Sequence, residues 1–253
     1  MNDTDKQWEK WAVRDPYFSV LSIDSYRRRN LNQSFEGFFR TGEEFISEIL
    51  KTLEHTVGRS INRNRALDFG CGVGRLVIPL AKRFEQVIGV DVSATMLKEA
   101  QKNCELYGVT NVTFQQSVSD LDLLGGSFDF INSYIVLQHI PRKRGYAIIT
   151  HLLGLLAPDG GVMIHFSIRR RSSRLRRASY IVKHKVPFAY VVANIIRRRD
   201  WNEPLMQMNE YDLPMVLDIF ARHGMKKVGL VLEAHGPVLT VRLFSSPLTD
   251  RTV

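Results

Sequence analysis

The sequence predicts an α/β domain with a doubly wound, Rossmann-like sheet of seven mostly parallel strands that ends in an antiparallel hairpin. Three observations support this prediction. Short apolar runs alternate with segments whose apolar residues recur at helical spacing. A glycine-rich turn joins the first apolar run to the helix after it. Two late apolar runs, 226–233 and 237–244, are separated by only three residues and must therefore pair antiparallel.

The first strand and its turn are predicted from residues 66–76, ALDFGCGVGRL. Glycines at alternate positions allow positive φ and let a ligand approach the backbone, and the next helix directs free N–H groups at that ligand. A dinucleotide site would have a third glycine where Arg75 stands. Asp68 would also repel a pyrophosphate. A ligand with a cationic amino-acid portion is therefore favoured over NAD.

A second strand over 86–91 ends in Asp91, 21 positions beyond Gly70. A carboxylate at this place accepts hydrogen bonds from both hydroxyls of a ribose. Ser93 follows at the position of a helix N-cap. The pattern therefore indicates a nucleoside-type ligand.

The remaining elements follow the same alternation of strand and helix. Helices are predicted over 42–57, from Pro141 to about Ala157 with a stop at 158–161, and over 209–223 with Asn209 as N-cap and Asp212 at N3. The third and fifth strands are predicted over 111–116 and 161–168, and residues 125–141 are predicted to contain the fourth strand and its exit.

Two segments together carry a resemblance to a known family. Residues 66–76 and the stretch 125–141, GGSFDFINSYIVLQHIP, resemble motifs of the class I S-adenosylmethionine-dependent methyltransferases. The resemblance covers about 36–168 and 205–245, and it implies S-adenosylmethionine as cofactor. The residues it implies for cofactor binding lie in the turn and at the strand ends: Asp68, Phe69, Gly70, Cys71, Gly72, Arg75, Asp91, Val92, Met96, Ser117, Val118, Ser133 and Tyr134.

Two roles stay open within this resemblance. The adenine amine is held either by Ser117 with the backbone of Val118, or by Asp120 reaching round. His139, at the exit of the fourth strand, is the candidate general base for a hydroxyl or amine acceptor. The alternative for His139 is a structural histidine that bonds the backbone or orients the N-terminal segment. No metal site is predicted, because the histidines have no ligand spacing.

Three parts of the chain are distinguished by composition. Residues 1–40 are rich in aromatic and charged side chains and are predicted to form a helical lid or arm, from which Arg40 could approach the cofactor carboxylate. Residues 41–168 and 209–253 form the predicted cofactor-binding domain. Residues 169–208 are an insertion after the fifth strand, at the edge of the sheet where ligands bind.

The insertion carries an uneven share of the charge. Residues 169–199 hold 11 of the 35 lysines and arginines and no acid, which leaves 24 basic and 26 acidic residues elsewhere. Such a segment indicates an anionic partner. A charged substrate lid, contact with an anionic membrane surface, and binding of nucleic acid, the least favoured of the three, stay open.

These observations predict an enzyme that methylates a small-molecule, sugar-linked or lipid-linked acceptor. The alternatives are an RNA or protein methyltransferase that uses the arginine-rich insertion, and a regulatory or scaffolding subunit that binds S-adenosylmethionine. Two cysteines cannot form a disulfide framework, and no signal peptide or spanning segment is recognised. We therefore predict a cytoplasmic protein, with contact at the inner membrane face as the variant that the insertion suggests.

Overall fold

The computed structural model describes residues 3–117, 124–170, 203–204 and 206–247. Its helices are α1 (Asp3–Arg14), α2 (Pro16–Leu21), α3 (Leu31–Val57), α4 (Val77–Ala81), α5 (Ala94–Leu106), α6 (Arg142–Gly154) and α7 (Leu213–Arg222). Its strands are β1 (Arg65–Phe69), β2 (Gln86–Asp91), β3 (Val112–Gln116), β4 (Phe128–Ser133), β5 (Leu156–Arg170), β6 (Val228–His235) and β7 (Val238–Ser245). Short 3-10 turns cover Asp24–Tyr26 and Leu137–His139.

The seven strands form one sheet in the order β3-β2-β1-β4-β5-β7-β6. The pairs among the first five strands are parallel, and β7 pairs antiparallel with both β5 and β6. The predicted fold class is confirmed. The strand order reverses between β1 and β4, and ligands of doubly wound sheets bind outside the carboxyl ends of the strands at this point.

Two apolar layers cover the faces of the sheet. One buries α3, α4 and α5 together with aromatic residues of the N-terminal segment, among them Tyr17, Phe38 and Phe39. The other buries α6 and α7 through residues such as Leu152, Phe220 and Tyr211. Helices on both faces leave the edge at the carboxyl ends of the strands as the place for a ligand.

Helix α6 and strand β5 meet earlier than the sequence predicts. The helix ends at Gly154 and the strand begins at Leu156, so residues 158–161 lie in the strand and do not terminate a helix. Leu156 is paired with Phe128, and regular pairing resumes at Gly161 after an irregularity in the register. The local sequence at 158–161 favours a turn. Pairing with β4 gives hydrogen-bond partners to backbone groups of this stretch, so the stretch becomes part of the strand.

The cap predicted for α7 is also wrong. The helix begins at Leu213, and its N-cap is Asp212, whose side chain accepts a hydrogen bond from Met215 N at 2.9 Å. Asn209 lies outside the helix, where its backbone N–H donates to the carbonyl of Gln138 at 2.6 Å. The helix starts later than predicted because the preceding residues are hydrogen-bonded to other elements, as Asn209 is to Gln138.

Helix α3 is longer than the predicted 42–57 and begins at Leu31. It therefore passes through residue 40, the expected boundary between arm and domain. Arg40 is exposed and pairs with Glu44 one turn later on the same helix. The approach of Arg40 to the cofactor carboxylate stays a prediction.

Candidate functional site

A cavity opens at the carboxyl edge of the sheet, where the strand order reverses, and α1 and α2 cover it. Its wall is formed by Thr4, Asp5, Trp8, Ser19, Val20, Phe69, Gly70, Gly72, Val90, Asp91, Val92, Met96, Ser117, Tyr134, Ile135, Val136, His139, Ile140 and Arg144. The wall thus joins the N-terminal arm to the ends of β1, β2 and β4.

The glycine turn gives the cavity a wall of bare backbone. Gly70 and Gly72 have φ of +80° and +52°, values that side-chain-bearing residues rarely adopt. A Cβ on Gly70 would overlap Val136, and one on Gly72 would lie 2.9 Å from Cγ2 of Val20. Both positions need glycine, because the turn is left-handed and closely covered.

Asp91 ends β2 beside this turn. One carboxylate oxygen accepts a hydrogen bond from Gly72 N at 2.9 Å, and the other accepts from Ser93 N at 2.9 Å. Burial raises the pKa of Asp91, while these hydrogen bonds favour its ionised form. Ser93 also caps α5 by accepting a hydrogen bond from Met96 N, as predicted. The carboxylate is therefore fixed in orientation by the backbone on both sides.

Asp68 lies at the end of β1, one residue ahead of the cavity wall. It is buried and accepts a hydrogen bond from Asn132 Nδ2 at 2.6 Å. Burial raises the pKa of Asp68 to about 7, although this hydrogen bond and nearby Arg75 both lower it. A cation that binds beside this carboxyl would therefore increase the fraction that is ionised at neutral pH.

The N-terminal arm is attached to the cavity at three points. Glu9 of α1 accepts hydrogen bonds from the Ser93 hydroxyl at 2.6 Å and from the Thr95 hydroxyl, at the start of α5. Arg144 of α6 donates to buried Asp5 at 2.6 Å. Further along, the Tyr17 hydroxyl lies 3.0 Å from Asn103 Oδ1 on α5. These contacts fix α1 and α2 against the cavity, and a role of the arm as a lid stays a prediction.

His139 is buried against the arm, with its ring centroid 4.8 Å from that of Trp8. Its Nδ1 lies 2.7 Å from the carbonyl oxygen of Gln207, so this nitrogen carries the proton and donates it. The other nitrogen, Nε2, lies 3.4 Å from Gln138 Nε2 and is left as an acceptor. Burial lowers the pKa of His139 to about 4, so the ring is neutral at neutral pH.

The residues predicted for cofactor binding divide into three groups. The cavity wall includes Phe69, Gly70, Gly72, Asp91, Val92, Met96, Ser117 and Tyr134. Asp68, Cys71, Arg75 and Ser133 are buried immediately behind that wall. Val118 lies outside the described residues, as does Asp120 with most of the insertion.

Sequence reasoning missed the parts of the wall that come from distant elements. Trp8, Val20 and Arg144 line the cavity, and no local pattern around them distinguishes a lining residue from one in the core. Asn132 was missed as well. Its only sequence signal is that it stands two positions before Tyr134 on the predicted fourth strand.

Together the strand order, the glycine turn and the fixed acid define a doubly wound domain with a cavity for a nucleoside-type ligand. Residues 66–160 match the sequence profile of the family described as "Methyltransferase domain". The chain is 34% identical over 152 residues to the chloroplastic magnesium protoporphyrin IX methyltransferase of Arabidopsis thaliana, covering 58% of this chain and 48% of the relative. It is 31% identical over 112 residues to a ubiquinone biosynthesis O-methyltransferase of Methylococcus capsulatus, covering 44% and 46%.

A solved structure matches over almost the whole fold. The magnesium protoporphyrin IX methyltransferase of Synechocystis PCC 6803 with bound SAH superposes with a TM-score of 0.64 at 20% identity, covering 97% of this chain and 100% of that one. The chain spans about half the length of the two relatives named above. Residues 66–160 thus match a methyltransferase domain, and the chain is similar to the methyltransferases named above. Within the described residues, no helix has the length and apolar character needed to cross a bilayer.

Proposed function

We propose that this chain binds S-adenosylmethionine and transfers its methyl group to an oxygen of a small-molecule acceptor. The observation that carries the proposal is one cavity that is lined both by the glycine turn with Asp91 and by Trp8 with His139. A nucleoside-type ligand held by the turn and Asp91 would share this cavity with an acceptor, and holding the two in line supplies much of the rate of a displacement.

The residues present fit this ligand. Asp91 is oriented to accept hydrogen bonds from two ribose hydroxyls, and the bare backbone at Gly70 and Gly72 allows close approach. Val92 and Met96 offer apolar contact to a base. When bound, S-adenosylmethionine supplies a methyl group that is already electrophilic on its sulfonium. The task of the protein residues is therefore to orient the two partners and to exclude water.

The state of His139 bears on the kind of acceptor. A general base works best when its pKa is near the working pH, and the pKa of His139 is lowered to about 4. The neutral Nε2 of His139 can orient an acceptor hydroxyl by accepting a hydrogen bond from it. As a weak base, it removes a proton poorly. An acceptor oxygen that is already anionic, such as a carboxylate, needs no base. Arg144 on the same wall is paired with Asp5, so this pair adds no net charge to the cavity.

The names of two relatives support a small-molecule acceptor. One is a magnesium protoporphyrin IX methyltransferase and another acts in ubiquinone biosynthesis as an O-methyltransferase. We therefore propose a small molecule that bears a carboxylate as the first acceptor class, and a phenol as the second.

The test is transfer of a radiolabelled methyl group from S-adenosylmethionine by the full chain. Magnesium protoporphyrin IX represents carboxylate acceptors and a catechol represents phenols, with Asp91→Ala as the inactive control. We expect labelled product from one of the two with the unchanged chain only. Binding of S-adenosylhomocysteine without transfer to either acceptor would favour the regulatory subunit, and absence of binding would reject the proposal.

We also propose that the basic stretch 169–199 brings the domain to an anionic membrane surface. Arg169 and Arg170, its described part, end β5 at the edge that carries the cavity. Cosedimentation with phosphatidylglycerol vesicles, and not with phosphatidylcholine vesicles, is the expected result. Preferential binding to RNA with a steep salt dependence would favour the RNA methyltransferase instead.

A further inference from the structure

Ile135 lies in a backbone conformation that its side chain disfavours. Its φ is +60°, in the left-handed region, and among the described residues other than glycine only Ser22 also has a positive φ. Ser22 ends α2, and helix ends commonly adopt this conformation, whereas Ile135 lies two residues beyond the end of β4. For a β-branched residue the left-handed region is strained, and such strain persists only where the surrounding structure holds the residue. A contact that holds Ile135 is therefore expected.

His165 makes that contact. The backbone N–H of Ile135 donates a hydrogen bond to Nδ1 of His165 at 3.2 Å. On β5, His165 directly follows Ile164, which is the partner of Ser133 at the end of β4. The N–H of Ile135 is thus satisfied by a side chain of β5 and not by strand pairing. The chain can turn out of the sheet at Ile135 because of this exchange of partners.

The imidazole of His165 is in the state that this hydrogen bond requires. The residue is 2% exposed, and burial lowers its pKa to about 3, so the ring is neutral at neutral pH. A neutral ring that accepts at Nδ1 carries its proton on Nε2. This Nε2 is buried with no partner among the described residues, which makes the ring a poor choice for stability alone. The ring packs on Tyr134, with centroids 4.9 Å apart, and so presents Nδ1 in a fixed position.

The turn at Ile135 sets the part of the cavity wall that follows β4. Tyr134, Ile135 and Val136 all line the cavity. Val136 packs so closely on the glycine turn that a Cβ on Gly70 would overlap its side chain. The carbonyl of Val136 accepts a hydrogen bond from His139 N at 2.9 Å, and His139 lines the same cavity. A change of φ at Ile135 would displace all of these groups together.

We propose that His165 is a positioning residue, which holds Ile135 in its left-handed turn and thereby places Tyr134 and Val136 on the cavity wall. The strain of one left-handed residue and the contribution of one buried hydrogen bond are similar in size, so loss of this bond is enough to let the turn relax. His165 does not itself line the described cavity and acts through the backbone of Ile135. This inference rests on the proposed function, because it concerns the wall against which S-adenosylmethionine would bind.

The test is rescue of the turn by glycine. Calorimetry measures the affinity of the full chain for S-adenosylhomocysteine in His165→Leu, in Ile135→Gly and in the double variant. Leucine removes the acceptor, and His165→Leu should bind about tenfold more weakly. Glycine adopts positive φ without strain, so the double variant should bind within about threefold of Ile135→Gly alone. The same tenfold loss in both backgrounds would mean that His165 serves only packing, and it would overturn the inference.

Two further variants are matched controls. His165→Asn places an amide oxygen near the position of Nδ1 and should bind within about threefold of the unchanged chain, because the acceptor is kept. Ser22→Gly relieves the other positive φ, +53°, at a residue that does not line the cavity. Added to His165→Leu, it should leave the tenfold loss unchanged. Restoration of affinity by Ser22→Gly would show that any gain in stability suffices, which would count against the proposed role of His165.

Failures of folding, of the inference and of the proposed function stay separable. Circular dichroism and urea unfolding report whether each variant folds. Should His165→Leu not fold, His165→Gln replaces it with the same expected loss and rescue, since its longer side chain has no acceptor at the Nδ1 position. Nuclear magnetic resonance of the unchanged chain should show a scalar coupling between Ile135 N and His165 Nδ1 across the hydrogen bond, and its absence would reject the inference. Failure of the unchanged chain to bind S-adenosylhomocysteine would reject the proposed function instead.

Discussion

The two acids at the strand ends of the cavity are held in opposite ways. Both oxygens of Asp91 accept hydrogen bonds from backbone N–H groups, so its orientation is set by the chain alone. Around Asp68, the donor Arg75 Nε and the acceptor Asn132 Oδ1 have no partners in the described structure. The carboxylate at the first end has its backbone partners in place, whereas polar atoms around the second have none. We therefore expect substitutions near Asp91 to lower ligand affinity by changing the shape of the site. Substitutions at Asp68 should lower it by changing the charge of the site.

The largest effect is expected from Gly72→Val, which fills the wall beside Asp91. The side chain would enter the cavity where a Cβ already lies 2.9 Å from Val20, and affinity for S-adenosylhomocysteine should fall more than 100-fold by calorimetry. Gly58→Val is the control, because Gly58 also has positive φ, +78°, but has no atom within 4 Å of its Cβ position. Both variants should lose about 1–2 kcal/mol of stability in urea unfolding. Binding by Gly72→Val within threefold of the unchanged chain would contradict the geometric account.

Asp91→Ala should lower the same affinity by about 100-fold, or ~2.7 kcal/mol, since it removes a fixed acceptor for two hydroxyls. Asp129→Ala provides the comparison, because Asp129 similarly accepts from two backbone groups, Asn64 N and Arg65 N, both at 2.9 Å. That variant should unfold at lower urea concentration and bind normally. Equal loss of affinity in both would mean that Asp91 matters only for folding.

A smaller, charge-dependent effect is expected at the Asp68 end. A ligand ammonium binds the ionised carboxylate, and the pKa of Asp68 in the free protein is about 7. Affinity for S-adenosylhomocysteine should therefore rise about tenfold from pH 6 to pH 8 and level off above that range. Calorimetry of Asp68→Asn should give weaker binding with no such rise. A rise that persists in this variant would place the titrating group elsewhere.

The smallest effect is expected from Glu9→Gln, which weakens the attachment of the arm beside Asp91. The amide can still accept a hydrogen bond from Ser93 but loses its charge near the start of α5, worth about 0.3–1 kcal/mol. Affinity should fall two- to fivefold. Glu44→Gln, on the exposed face of α3, should change nothing measurable. A loss beyond 20-fold would mean that the arm contributes more than this one contact.

The Asp91 end could be predicted from sequence because its pieces are local. The strand, the turn at Gly70 and Gly72 and the N-cap at Ser93 each have a pattern within a few residues. The fold class followed from the same patterns repeated along the chain. The boundary between α6 and β5 could not be predicted, because strand pairing with Phe128 overrode the local turn signal at 158–161.

The Asp68 end and the lid depend on contacts between distant positions. Asn132 meets Asp68 only because β4 pairs with β1 in one register. Trp8 reaches His139 across 131 positions of sequence, and Arg144 pairs with Asp5 across a similar separation. The local periodicity of the sequence assigns these residues to helices or strands. It does not identify the distant residues that they contact.

The stems of the insertion meet at one point of the sheet edge. The backbone N–H of Arg170 donates to the Glu210 carboxylate at 3.0 Å, and that of Tyr211 donates to the Ser167 carbonyl at 2.7 Å. The chain therefore leaves the domain and returns to it at nearly the same place, and each doubling of the length of a segment between such fixed ends costs only about 0.6 kcal/mol. We therefore expect that the length of the segment between Arg170 and Glu210 can be changed without altering the order of the seven strands.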